Sequence, residues 1–122
     1  KTDRVGDFAI EFLDQTAGQP FCLFMPFFAP HTPYDYQSDE YRKPYENSKF
    51  SCYPRVPAHP WRMRMLEGNL AGTLKDDGNE ESMRAYSALI TAMDHNVGRV
   101  LAHLDKMGVR DNTVIIFSAD QG

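Results

Sequence analysis

The stretch Pro20 to Phe28, PFCLFMPFF, constrains this chain most, because it runs apolar for nine residues without a polar alternation. Such a run suits a strand covered on both faces, as in a parallel sheet, better than a strand with one wet side. A second run, Val114 to Phe117, is apolar and β-branched and reads as another strand, ending in Asp120-Gln121-Gly122. Two strands of this kind need neighbours, since a two-stranded sheet is marginal by itself. The expectation is an α/β architecture with a mixed or parallel sheet flanked by helices. Residues 1–122 are then one part of a domain, an internal piece of a longer chain.

Helical periodicity frames both runs. Val5, Phe8, Ala9, Phe12 and Leu13 recur at spacings of three and four, which predicts an amphipathic helix from Thr2 to Gln15. Thr2 or Asp3 is its expected cap, and Gly18 ends it. A longer helix is predicted from about Glu80 to Met107. Its apolar face holds Met83, Tyr86, Leu89, Ile90, Met93, Val97, Val100, Leu101 and Leu104, and Gly108 is the stop. From Ala29 to about Pro60 the chain is rich in proline, tyrosine and charge, so a long irregular excursion is expected, packed by its aromatics. A short helix fits between Trp61 and Leu74, although Gly68 and Gly72 weaken it. The readable order is helix, strand, long loop, helix, strand.

Composition excludes several classes. A formal net charge of -4, with 25% charged residues and dispersed lysines and arginines, gives no basic patch for a nucleic acid. No apolar run approaches the roughly 18 to 20 residues of a membrane span. Lys1-Thr2-Asp3-Arg4 lacks the apolar core of a signal peptide, and the missing initiator Met points to a removed N-terminus. Two cysteines make neither a disulfide framework nor a zinc pattern. Cys22 reads as a small buried thiol inside its apolar run, and Cys52 as a loop residue without a visible activating base.

Few residues carry chemistry. Asp120-Gln121 offers a carboxylate and an amide oxygen, which suit a hard cation such as Ca²⁺ or Mg²⁺, at the carboxyl edge where open α/β sheets gather ligands. The plainer reading is a turn residue or cap. His31 stands just past the first run in APHTPY, with prolines on both sides that restrict the backbone; it suits proton transfer or anion binding, or equally a packed loop histidine. His59, His95 and His103 have no partner at metal-ligand spacing, and Asp94 and His95 read as helix-face residues. Ser118 is not in a G-x-S-x-G elbow, and no glycine-rich phosphate loop is present.

Taken in order, PFCLFMPFFAPHTPY and YSALITAMDHNVGRVLAHLDKMGVRDNTVIIFSADQG resemble the type I sulfatases of the alkaline phosphatase superfamily. The resemblance covers most of the chain and is weakest from about Gln37 to Lys75. It implies that Asp120 and Gln121 are ligands of a calcium ion beside the sulfate ester. It also implies that His31 binds the sulfate or protonates the leaving oxygen. No catalytic role passes to Asp94. The family's nucleophile is a formylglycine made from the Cys or Ser of C/S-x-P-x-R, and Cys52-Tyr53-Pro54-Arg55 is one residue too short and on the wrong side of the APH run. The nucleophile, the N-terminal aspartate pair and the lysine beyond the last strand are therefore expected outside this chain.

The resemblance implies a sulfuric ester hydrolase acting on a sulfate ester of a small molecule or glycan, with sulfated carbohydrate as the expected substrate class and a periplasmic or secreted location favoured. The 122 residues alone are expected to be inactive and to bind Ca²⁺ weakly, because two oxygen ligands do not fill six to eight positions. Two other readings stand beside it: a phosphoryl or phosphonate ester hydrolase of the same superfamily, and a non-catalytic domain whose aromatic loop binds a partner.

Overall fold

A computed structural model of the chain describes residues 2–31, 34, 38–51, 60 and 80–120. The two periodic segments form the expected helices. α1 spans Thr2–Gln15, and the four-residue α2 spans Asp39–Arg42. A 3₁₀ turn, Lys43–Tyr45, follows α2 directly. α3 spans Glu80–Lys106, and a second 3₁₀ turn covers Arg110–Asn112. The region expected as an irregular excursion thus contains ordered short helices, because Tyr41 is buried against Ala88 and Ala92 of α3, with Tyr45 packed beside it. The helix expected between Trp61 and Leu74 lies outside the described residues.

α1 and α3 run in the same direction. Asp3, Asp7 and Asp14 meet Asn96, Arg99 and His103 in that order. Their shared core is Ala9, Leu13, Val100 and Leu104, and Leu13 is fully buried. Burying a leucine of this kind contributes about 2 kcal/mol. The buried line is narrower than periodicity suggested. Phe8 of α1 is 57% exposed, with the Arg4 guanidinium 5.2 Å from its ring centroid, and Ile90 of α3 is also exposed. Beside Leu89, Val100 and Leu104, the face of α3 that points inward carries Ser82, Ala88, Ala92 and Asn96. Small side chains there admit a neighbour closely, and size rather than hydrophobicity decides which edge of the stripe is covered.

α3 ends in a Schellman motif. The Gly108 amide donates to the Asp105 carbonyl at 3.0 Å, and the Val109 amide donates to the Leu104 carbonyl at 3.1 Å. Gly108 supplies the left-handed residue with φ +70, and Val109 joins Leu104 in the core, the apolar contact that accompanies this cap. Thr2 and Asp3, expected as caps of α1, both lie within it, and the Asp3 carboxylate is engaged by Tyr41 and Asn96.

Neither apolar run forms a β-ladder among the described residues. A strand is defined by its neighbour's hydrogen bonds, and the described residues provide none for residues 20–28 or 113–119. The first run nevertheless has strand-like alternation. Phe21, Leu23 and Met25 pack onto the α1–α3 core, while Cys22, Phe24 and Phe28 face away. The run expected to be covered on both faces is covered on one. Cys22, expected to be buried, is exposed for the same reason: it falls on the outward side of a period-two chain.

Candidate functional site

His31 is placed by a turn at the carboxyl end of the first apolar run. The His31 amide donates to the Phe28 carbonyl at 3.0 Å, closing Phe28-Ala29-Pro30-His31 into a turn with a cis Ala29–Pro30 bond. Its imidazole tilts against the Phe28 ring, with centroids 4.8 Å apart. His31 is exposed to solvent. Three residues on, the Tyr34 ring meets Tyr86 of α3 edge to face at 5.9 Å and 83°.

The segment after this turn is fixed to α3 by polar contacts. Arg84 Nε donates to the Ser48 carbonyl at 3.0 Å, and the hydroxyls of Tyr45 and Thr91 share a hydrogen bond of 2.7 Å. Behind them lies a buried network. Asp3 Oδ1 accepts from the Tyr41 hydroxyl and from Asn96 Nδ2, both at 2.8 Å. Asn96 Nδ2 also donates to the Ala92 carbonyl, and Asn96 Oδ1 accepts from Arg99, whose other nitrogen reaches Asp7. Burial pushes the Tyr41 phenol up to about 12, helped by the Asp3 carboxylate beside it. Partial burial pulls Asp3 upward, but hydrogen bonds from Asn96 and Tyr41 and the charge of Arg99 outweigh it, and its carboxyl lies below the ordinary value. The one sequence signal for this network was a polar Asn96 on an apolar stripe, in register with Ala92 and Val100.

Asp120 is exposed at the carboxyl end of the second extended run, and Gln121 lies outside the described residues. Among the described residues no three His, Cys, Asp or Glu side chains gather at a distance suited to a metal ion. The donor types of Asp120 and Gln121 suit a hard cation, but Asp120 is a single carboxylate and does not make a site by itself. Cys52 and His59 also lie outside the described residues. His95 is exposed and tilts against Tyr41 at 5.7 Å, and His103 Nε2 pairs with Asp14 Oδ1 at 2.8 Å, so both serve the helix faces. Asp94 is exposed on α3.

Comparison with known proteins identifies the group to which this arrangement belongs. The family described as Sulfatase matches residues 1–122. The chain belongs to the sulfatase family, which implies an α/β fold. It is 31% identical over 132 residues to the multifunctional alkaline phosphatase superfamily protein PehA of Trinickia caryophylli, covering 93% of this chain and 26% of that protein. It is 35% identical over 95 residues to an N-acetylglucosamine-6-O-sulfatase of Bacteroides thetaiotaomicron, covering 69% of this chain and 17% of that protein. It is 30% identical over 133 residues to the iduronate 2-sulfatase of Homo sapiens, covering 93% of this chain and 24% of that protein. The chain thus spans about a quarter or less of the length of these relatives. No solved structure gives a significant match.

Proposed function

We propose that the protein containing this chain hydrolyses sulfate esters, and that residues 1–122 supply part of its catalytic domain. The observation that carries this is the match to the sulfatase family over the whole chain. Sulfated carbohydrate is the proposed substrate class, supported by the names of relatives that act on N-acetylglucosamine and iduronate sulfates. In this reading the runs at 20–28 and 113–119 are strands of one mixed or parallel sheet, and His31 and Asp120 sit at their carboxyl ends.

His31 is proposed to bind the sulfate or to give a proton to the leaving oxygen as the S–O bond breaks. Its exposed face and the turn that fixes its backbone support this role. Asp120 and Gln121 are proposed as two oxygen ligands of a Ca²⁺ ion, completed by groups outside the described residues. When bound, such an ion would offset the sulfate charge. The formylglycine nucleophile is proposed to come from outside these residues, since no C/S-x-P-x-R occurs here. Secretion or a periplasmic location accords with this reading.

The test is hydrolysis of matched aryl sulfate and aryl phosphate esters by the intact protein. Sulfate should be preferred, and Asp120→Ala should lower the rate far more than His95→Ala. Equal losses would sink the site assignment. A preference for phosphate or phosphonate esters would favour the second reading, which the similarity to a multifunctional superfamily member supports.

A further inference from the structure

We propose that Tyr86 is a positioning residue for His31, acting through the ring of Tyr34; the inference rests on the role given to His31 above. An exposed imidazole on a turn is useful only if its backbone is held at both ends. The near end is held, because the His31 amide is bonded to the Phe28 carbonyl and its ring lies 4.8 Å from the Phe28 ring. The far end is held by Tyr34, three residues on, whose ring meets Tyr86 edge to face at 5.9 Å. Three residues reach at most about 11 Å, so fixing Tyr34 confines His31.

Tyr86 is itself well supported. It is half-buried on α3, between Arg84, which donates to the Ser48 carbonyl, and Thr91, which bonds the Tyr45 hydroxyl. Ala88 and Leu89, two and three residues further along α3, are buried. The same stretch of α3 therefore anchors the chain both before and after residues 35–37. Tyr86 touches no proposed reacting group; it sets where the turn carrying His31 stands relative to α3.

The test uses the intact enzyme and aryl sulfates whose phenols differ in acidity. Losing a proton donor to the leaving oxygen harms a poor leaving group more than a good one, so His31→Ala should steepen the dependence on phenol pKa. Tyr86→Ala should steepen it in the same sense, costing about tenfold more on phenyl sulfate than on 4-nitrophenyl sulfate, in kcat rather than KM. Tyr86→Phe keeps the ring edge and should restore the shallow dependence. Tyr34→Ala should reproduce the effect from the loop side, and the double variant should be no worse than either. If Tyr86→Ala reduces folded yield, Tyr34→Ala decides. Equal losses on all esters with either alanine variant, while His31→Ala steepens the series, would overturn the role of Tyr86 alone. A flat series for His31→Ala would overturn the proton-donor role of His31 and this inference with it.

Discussion

Asn96 shows what one polar side chain costs and gives inside this protein. It is fully buried, and its amide is paired on both sides, to Asp3 and the Ala92 carbonyl through nitrogen and to Arg99 through oxygen. Left unpaired, such a group would cost about 1 to 3 kcal/mol, so its position is dictated by its partners. Gly6 of α1 is where this rigidity is felt, because a methyl group there would collide with Asn96 Oδ1 and crowd Asn96 Cγ at 3.0 Å. Alanine normally gains up to about 1 kcal/mol over glycine within a helix. Here Gly6→Ala should instead destabilise by about 2 kcal/mol, read from urea unfolding of the purified protein. A stabilised variant would mean that the Asn96 network can shift freely. Gly6 gave no hint of this in the sequence, since the neighbour it accommodates is ninety residues away.

The two helices were legible because each carries its own start, period and stop. The Schellman motif at Gly108 is local chemistry, and a glycine after an apolar helical period announced it. Gly98 and Gly108 separate two uses of one residue type. Neither has a heavy atom of the described residues within 4 Å of an added methyl, but Gly98 is in α3 and Gly108 has φ +70. Gly98→Ala should therefore stabilise by about 0.5 to 1 kcal/mol, and Gly108→Ala should cost about 1 kcal/mol, with Gly108→Asn milder. Thermal unfolding of the three variants checks the opposite signs. Which face of each helix turns inward was less legible. Phe8 and Ile90 fit the period yet stay exposed, while Gly6 admits Asn96 and the small Ala88 and Ala92 receive Tyr41.

At the scale of the molecule, the helices cover one side of the first apolar run and leave large side chains bare. Phe24 is 85% exposed, Val114 87% and Ile116 86%, with Phe28 and Phe117 also open. Large exposed apolar side chains of this kind promote association. The 122-residue chain prepared alone should enhance the fluorescence of an apolar dye and scatter light as an oligomer at micromolar concentration; a non-binding monomer would contradict this. The sequence by itself determined the ends of the two long helices and the family, since periodicity, glycine stops and the APHTPY and DNTVIIFSADQG motifs are all local. It also brought His31 and Asp120 forward as candidates, by residue type and place alone. Only the tertiary structure decided that Cys22 is exposed, that Tyr41, Asp3 and Asn96 form one buried network, and that Tyr34 rests on Tyr86. These contacts join residues tens of positions apart, and no local pattern encodes which side of a strand or helix its distant neighbours will cover.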